Sequence, residues 1–296
     1  MVTVFTPTYN RASTLPTLYD SLCKQTILSF EWLIVDDGSV DETEAIIQIL
    51  TSKENPFPIR YYKQKNGGKH TAINKGVSLA QGLLFFIVDS DDMLTPNAIE
   101  KLIQWEATIS GKKGFAGISG NKGDLLGNLL GSTFFGHTLD ATNLERKENN
   151  ILGDKAEAYY TEILKLFPFP VVDGETFMTE NVIWDRIAAA GYKIRWFNDV
   201  IYLVEQRSDG LIAQGNNRYA NSPRGYALFV LQSLRLTNAN WRDKLYAGFY
   251  YYETVKNKVS LVQAAKLLHR NIAIFCFFWI YQSVKIRLKE ILTKHR

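Results

Sequence analysis

The residues best suited to chemistry in this sequence sit in three short clusters. Asp89-Ser90-Asp91-Asp92 follows the continuous apolar stretch 83–88. Carboxylates crowded at the end of a hydrophobic strand repel one another unless a cation joins them. Hard oxygen donors at alternate positions suit Mg²⁺ or Mn²⁺, which proteins commonly hold through one or two carboxylates while a substrate's phosphates complete the shell. The same residues also fit a solvated turn or a helix cap ahead of Pro96. Asp36-Asp37-Gly38-Ser39 is a second acidic cluster. Its carboxylates can accept a hydrogen bond from the imide N–H of a nucleobase, or close a tight turn before a helix. Asn66-Gly67-Gly68-Lys69-His70 is the third. Paired glycines let backbone approach a ligand closely, and a helix N-terminus attracts phosphate. Lys69 can add a charge-assisted contact. The spacing is not that of a Walker loop, and the Lys-Ser/Thr pair is missing.

The elements that must position these clusters alternate along the first 120 residues. Residues 2–6 read as a buried strand, and Leu15, Leu18, Leu22 and Cys23 recur at helical spacing. Residues 32–35 form the next strand, 43–50 a helix, and 59–62 a third short strand. A helix begins near Gly68, 83–88 is an apolar strand, and Pro96 suits the first turn of another helix. Residues 115–119 read as a further strand. Repeated strand–helix–strand units predict a parallel sheet with right-handed crossovers. Polar clusters at 6–10, 36–39 and 89–92 then gather at the carboxyl edge of that sheet, where such folds bind ligands. Residues 121–150 read as a loop or lid and 153–166 as a helix, broken by Phe167-Pro168-Phe169-Pro170. A helix over 181–190 and strands over 192–197 and 200–204 follow. Beyond about Ser222 the pattern is helical.

Composition narrows the field. The chain has 296 residues, 46% hydrophobic and 22% charged, which excludes a disordered chain. Two cysteines exclude a disulfide framework, and His70, His137, His269 and His295 lack the spacing of a zinc site. Residues 241–296 hold 11 Lys/Arg against three acids, so the first 240 residues are mildly acidic while the tail is strongly basic. That is not the footprint of a nucleic-acid enzyme, and it suits a tail meeting an anionic surface. Met1 leads straight into Val2-Thr3-Val4-Phe5 with no signal-peptide pattern. The longest apolar run, 272–281, is about half of the ~20 residues a bilayer span needs. A cytoplasmic location is expected.

In order, these pieces resemble the inverting nucleotide-sugar glycosyltransferases of family 2, with the fold called GT-A. The matching residues are Thr6-Pro7-Thr8-Tyr9-Asn10-Arg11, Ser21-Leu22-Cys23-Lys24-Gln25-Thr26 and Glu31-Trp32-Leu33-Ile34-Val35-Asp36-Asp37-Gly38-Ser39. Asn66-Gly67-Gly68, Asn74-Lys75-Gly76 and Asp89-Ser90-Asp91-Asp92 complete the set. The resemblance covers roughly residues 1–205, most densely the first 100. It implies an α/β fold with a Rossmann-like, mostly parallel sheet and a C-terminal helical extension. Residues 1–215 would form the GT-A domain, with a nucleotide-sugar half (1–120) and an acceptor and base half (121–215). Residues 216–296 would be the basic helical extension.

The resemblance also implies roles. The segment around Pro7 and Tyr9 borders the base and ribose. Asp37 hydrogen-bonds uracil if the donor is a uridine diphosphate sugar, and Lys69 faces base or phosphate. Asp89 and Asp91 look like the DxD-type pair, touching the ribose and a divalent Mg²⁺ or Mn²⁺ that neutralises the leaving diphosphate. Asp92 shares that role or orients its neighbours. The family's base opens a helix as an acidic pair. Here the stretch is Glu180-Asn181, and an amide cannot be a base, so Glu180 is the candidate, with Asp173 and Glu175 in reserve. Alternatively Thr179 caps that helix and Glu180 complements its dipole. Arg207 and Arg224 are candidate phosphate or acceptor contacts, unless they are plain surface arginines.

The implied activity is transfer of a sugar from a nucleoside diphosphate donor, UDP foremost, to a hydroxyl of a glycan on an undecaprenyl-diphosphate carrier. The implied setting is bacterial capsule, O-antigen or exopolysaccharide assembly. The basic C-terminal helix, beside its short aromatic-rich run, is expected to lie at the inner face of the plasma membrane as a peripheral contact. A core-packing helix or a helix buried in a dimer is the plainer alternative. Two other functions fit parts of the pattern: a polyprenyl-phosphate glycosyltransferase, and a non-catalytic sugar-nucleotide-binding protein that has lost the base.

Overall fold

A computed structural model describes residues 1–205, 215 and 217–294, the last nine of these by backbone alone. The chain divides into two compact units, residues 1–169 with 183–208, and residues 170–182 with 209–296.

The first unit is built on strands whose residues are buried on both faces, the mark of a central sheet. β1 (Val2–Thr8) and β2 (Phe30–Asp36) are buried throughout. Around them run α1 (Leu15–Cys23), α2 (Thr43–Thr51), β3 (Ile59–Lys63), α3 (Lys69–Leu79), β4 (Leu84–Ile87), β5 (Met93–Leu94) and α4 (Ala98–Ala107). Then come β6 (Phe115–Gly123), β7 (Thr138–Ala141), β8 (Lys155–Tyr160), α5 (Thr161–Leu166), α6 (Asn181–Ala189) and β9 (Lys193–Leu203). The strand order is β3-β2-β1-β4-β8-β6-β9-β5, with β7 also paired to β9. β3, β2, β1 and β4 are mutually parallel. β8 then runs antiparallel to both β4 and β6, while β6 and β9 are parallel.

Leu15, Leu18 and Leu22 of α1, Ile47 of α2 and Ile99 and Leu102 of α4 pack with Val4, Trp32, Ile34 and Phe86 in one buried core. α3 packs against Phe5, which stacks on Phe85 with centroids 4.8 Å apart. Only glycine fits at position 76 there, because a Cβ would fall 2.2 Å from Phe5 Cε2.

Four sequence expectations need correction. Residues 155–160 are strand β8, and only 161–166 are helical. Ala and Lys favour helix locally, but the pairings with β4 and β6 satisfy both backbone edges, and Tyr159 stacks on Trp184 at 4.3 Å. Tertiary pairing outweighs propensity here. The stretch expected to be a loop carries β7 and a one-turn 3-10 helix capped reciprocally by Thr142 and Glu145. The two strands expected over 192–204 are one, β9, whose pairing with β6 contains register shifts. Pro96 lies ahead of the helix cap Asn97, and its carbonyl accepts from Thr26 N (2.8 Å).

The second unit is helical: α7 (Asn217–Ala220), α8 (Pro223–Leu236), α9 (Trp241–Val255), α10 (Leu261–Leu267) and α11 (Ile272–Lys294). Asn240 with Asp243, and Ser260 with Gln263, form capping boxes at α9 and α10. Ala227, Val230, Tyr251, Val255, Ala264, Ala265, Leu268 and Phe275 make its core. Residues 170–182, read from sequence as part of the first domain, cluster with these helices.

Candidate nucleotide and acid cleft

The candidate site forms at the carboxyl ends of β1, β2 and β4. β1 and β2 run in register to Thr8 and Asp36, so their loops emerge together. Asp37 N donates to Thr8 O (2.8 Å), Asn10 N to Ser39 Oγ (2.8 Å) and Arg11 N to Thr43 Oγ1 (2.9 Å). Asp36 is wholly buried. It accepts from Ser39 N (2.7 Å) and from the Tyr61 hydroxyl (2.9 Å), so its work is to hold the turn.

Asp37 is 4% exposed. Its Oδ1 accepts from Gln64 Nε2 (2.7 Å) and Gly67 N (2.9 Å), and its Oδ2 from Gly68 N (2.7 Å). The carboxylate thereby latches the glycine pair that opens α3. Gly68, the residue capping that helix, has φ of 90°, a conformation that favours glycine. A carboxylate offers about four acceptor positions, so Oδ2 has room for one more donor.

The latch sets Lys69 over the second acidic loop, where its Nζ lies 2.6 Å from Asp89 Oδ1. Arg11 Nη2 lies 3.6 Å from Asp91 Oδ2. Asp37, Asp89 and Asp91 thus each engage a neighbouring loop or helix start at this sheet edge. Burial disfavours the Asp89 charge, but Lys69, Lys122 and Arg11 hold it below the usual carboxylate range. Burial first, then the neighbouring Asp89 charge, push Asp91 upward. The same two causes drive Asp92 to about 7, against the pull of Lys122 and the Tyr202 hydroxyl.

Tyr202, wholly buried on β9, supports this loop. Its hydroxyl donates to Asp92 Oδ2 (2.7 Å) and accepts from Asp89 N (2.9 Å). The ammonium of Lys122, on β6, sits 4.1 Å from the centre of its ring. Arg11, Lys122 and Tyr202 were not singled out from the sequence. Only Arg11 had a local signal, lying in the motif after the first strand. Of the other expected residues, Pro7 is buried within β1 opposite Val35, and Tyr9 at the strand's end is 46% exposed.

The donor set fits a divalent ion held partly by substrate. Burial first, and then the neighbouring carboxylate charge, raise the proton affinity of Asp91 and Asp92, and a hard cation would relieve the charge repulsion. Among the described residues no group of three or more His, Cys, Asp or Glu could hold a metal on its own. One or two carboxylates plus diphosphate oxygens is the arrangement these residues permit.

The remaining candidates lie elsewhere. Glu180 is half-buried in the second unit, directly before α6. In the same unit, Glu175 is buried and accepts from Arg224 N (2.9 Å), Arg224 Nε (3.2 Å) and Gly225 N (2.7 Å), capping α8. Arg224 also donates to the Asp173 carbonyl, and its side chain is 51% exposed. Asp173 is exposed. Arg207 lies outside the described residues.

An open α/β sheet with acids and a Gly-Gly helix start at its parallel strand ends defines the GT-A class of glycosyltransferase fold. Staphylococcus aureus TarS residues 1–349, solved with UDP-GlcNAc, matches over 95% of this chain and 91% of that one, with a TM-score of 0.65 at 18% identity. The mannosyltransferase PcManGT from Pyrobaculum calidifontis, solved with GDP-Man and Mn²⁺, matches over 96% and 86%, with a TM-score of 0.57 at 17% identity. The sequence model of Glycosyl transferase family 2 matches residues 3–107. Two curated relatives each match about a third of the chain. Glycosyltransferase GlyG of Streptococcus pneumoniae is 36% identical over 104 residues, 35% of this chain and 34% of GlyG. Chondroitin synthase of Pasteurella multocida is 38% identical over 100 residues, 34% of this chain and 10% of the synthase.

Proposed function

We propose that this protein is an inverting, metal-dependent glycosyltransferase. Its donor is a nucleoside diphosphate sugar, uridine-linked. Its acceptor is a hydroxyl of a growing glycan on an undecaprenyl-diphosphate carrier, in bacterial capsule, O-antigen or exopolysaccharide assembly. Residues 1–215 act as the transferase domain and 216–296 as a basic extension, peripheral at the inner face of the plasma membrane. The observation that carries this reading is the Lys69–Asp89 and Arg11–Asp91 pairing beside the Asp37 latch. It joins cation donors for a diphosphate, carboxylates for a metal and an acceptor for a base at one sheet edge. TarS was solved with UDP-GlcNAc, and PcManGT with GDP-Man and Mn²⁺.

In this mechanism Asp37 Oδ2 accepts from the uracil ring, and Tyr9 and Pro7 border the nucleoside. Asp91, with Asp89 reaching the ribose, holds Mg²⁺ or Mn²⁺. When bound, that ion supplies Lewis-acid stabilisation of the departing diphosphate. Lys69, Arg11 and Lys122 add positive charge where the diphosphate's negative charge grows. Glu180 takes the proton of the acceptor hydroxyl as that oxygen attacks the anomeric carbon from the opposite face. Glu175, which caps α8 with both oxygens, is the weaker candidate for that proton. Arg207 and Arg224 stay candidates for acceptor phosphate.

A panel of nucleotide sugars, assayed for donor hydrolysis and transfer, tests the reading. Wild type is expected to turn over a UDP sugar. Glu180→Gln is expected to bind UDP unchanged and to lose about 10²–10⁴ in turnover. Intact nucleotide binding without turnover on any acceptor would leave a sugar-nucleotide-binding protein instead.

A further inference from the structure

α11 is apolar on two sides. One side belongs to the second unit's interior: Phe275 and Gln282 are buried, the Phe278 ring meets Tyr246 edge-on at 5.4 Å, and Trp279 Nε1 donates to Glu253 Oε1 (2.6 Å). The other side carries Ile274, Phe277, Ile280, Tyr281 and Val284, between 52% and 74% exposed. Positions 274, 277, 281 and 284 follow helical spacing, so these side chains form one stripe. The neighbouring helix α9 also exposes Trp241 and Tyr250.

A folded unit does not ordinarily leave a contiguous aromatic and aliphatic stripe in water unless something covers it. Charge identifies the occupant. Residues 271–284 contain no charged side chain. Arg270 precedes them, and Lys285, Arg287 and Lys289 follow in sequence. Over 241–296 the balance is 11 Lys/Arg to three acids. A symmetric pairing of two copies through α11 would bring two strongly basic surfaces together, which opposes association. An anionic lipid surface attracts the same charges. Length agrees: the uncharged stretch spans ~21 Å as helix, short of the ~30 Å hydrocarbon core. No helix among the described residues is long and apolar enough to cross a membrane. Tyrosine and tryptophan also favour the headgroup region.

We propose that the outer stripe of α11, with the exposed aromatics of α9, is a docking surface for an anionic phospholipid bilayer, on which α11 lies in the plane of the interface. This rests on the peripheral membrane setting proposed above and names its surface.

The test is co-sedimentation of the full chain with vesicles of phosphatidylcholine alone, or with about a third phosphatidylglycerol. Binding is expected only to the anionic vesicles, and to weaken as salt rises. Phe277→Ser with Val284→Ser is expected to weaken it by at least about 30-fold, and Lys285→Glu by about 10-fold or more. Stabilisation by UDP with Mn²⁺ should be unchanged in both variants, since the nucleotide cleft lies in the other unit. Undiminished vesicle binding by the double variant would overturn this surface while leaving a peripheral setting in place. Absence of wild-type binding would overturn both, and equal binding to neutral vesicles would overturn the charge argument. A wild-type dimer that the double variant converts to monomer, without vesicle binding, would identify the stripe as a contact between copies. None of these outcomes touches the transferase reading, which the hydrolysis assay decides.

Discussion

Tyr202→Phe removes one oxygen and keeps the ring. The edge-on contact with Phe86 (6.2 Å, 84°) and the Lys122 ammonium over the ring do not need the hydroxyl. What is lost is the link between the two halves of the acid loop. Asp89 N–H loses its acceptor at 2.9 Å and Asp92 Oδ2 its donor at 2.7 Å, beside a tyrosine that is itself fully buried. A hydrogen bond to a charged group contributes about 1.5–3 kcal/mol, and an orphaned buried N–H costs about 1–3 kcal/mol. The Asp89 side chain is 31% exposed, so the loop can relax toward water and recover part of this. The expected net loss is about 2–4 kcal/mol, or roughly 5–12 °C in melting temperature for a domain this size. The relaxed loop also loses the positioning of Asp89 and Asp91, so UDP with Mn²⁺ should bind about 10- to 100-fold more weakly by calorimetric titration. Tyr160→Phe is the control. That hydroxyl also donates to a carboxylate, Glu106 Oε1 at 2.9 Å, but not in the acid loop. It should cost stability and leave nucleotide affinity alone. Wild-type affinity in Tyr202→Phe, or an equal loss in Tyr160→Phe, would refute the positioning argument.

Three further outcomes follow from the same geometry. Asp91→Asn is expected to abolish the difference between UDP stabilisation with Mn²⁺ and with EDTA, read by thermal shift; a persisting difference would remove Asp91 from the metal's shell. Gly76→Ala should destabilise the first unit by about 1–3 kcal/mol in urea melts, because its Cβ would sit 2.2 Å from Phe5 Cε2. Lys155, buried with its Nζ donating to Asn121 Oδ1 (2.8 Å) and Ser132 O (2.7 Å), is lowered to about 8, chiefly by burial and then by the Arg146 charge. The unfolded chain therefore holds this proton to higher pH than the native one, and this residue's contribution to stability rises with pH through 8. Wild type should gain about 2 kcal/mol relative to Lys155→Met between pH 7 and 9.5. A flat difference would contradict a buried, charge-penalised lysine.

Much of the cleft was legible along the chain. Asp37, Lys69, Asp89 and Asp91 each follow an apolar run or a glycine pair, and those local patterns suffice to place them at strand ends and at a helix start. Arg11 was missed although it lies in the motif after the first strand; the other two missed residues are harder to mark locally. Lys122 lies late in β6 and Tyr202 in β9, and each reads as an ordinary strand residue until the sheet sets it beside the acid loop. Glu175 seemed a spare carboxylate because its partners, the backbone amides of 224 and 225, are some 50 positions away. The misreading of 155–160 has the same origin. An alanine-rich hexapeptide is helical by propensity, and only two flanking strands make it extended.

Order along the chain was enough to establish an alternating α/β body and the position of its acids at the strand ends, because strand burial and strand endings are properties of neighbouring residues. Tertiary structure alone decided that the sheet turns mixed beyond β4, that Tyr202 ties Asp89 to Asp92 across more than a hundred residues, and that α11 keeps an apolar face turned outward. Those depend on which distant segments pair and which faces remain uncovered, and that balance is struck between segments rather than within any one of them.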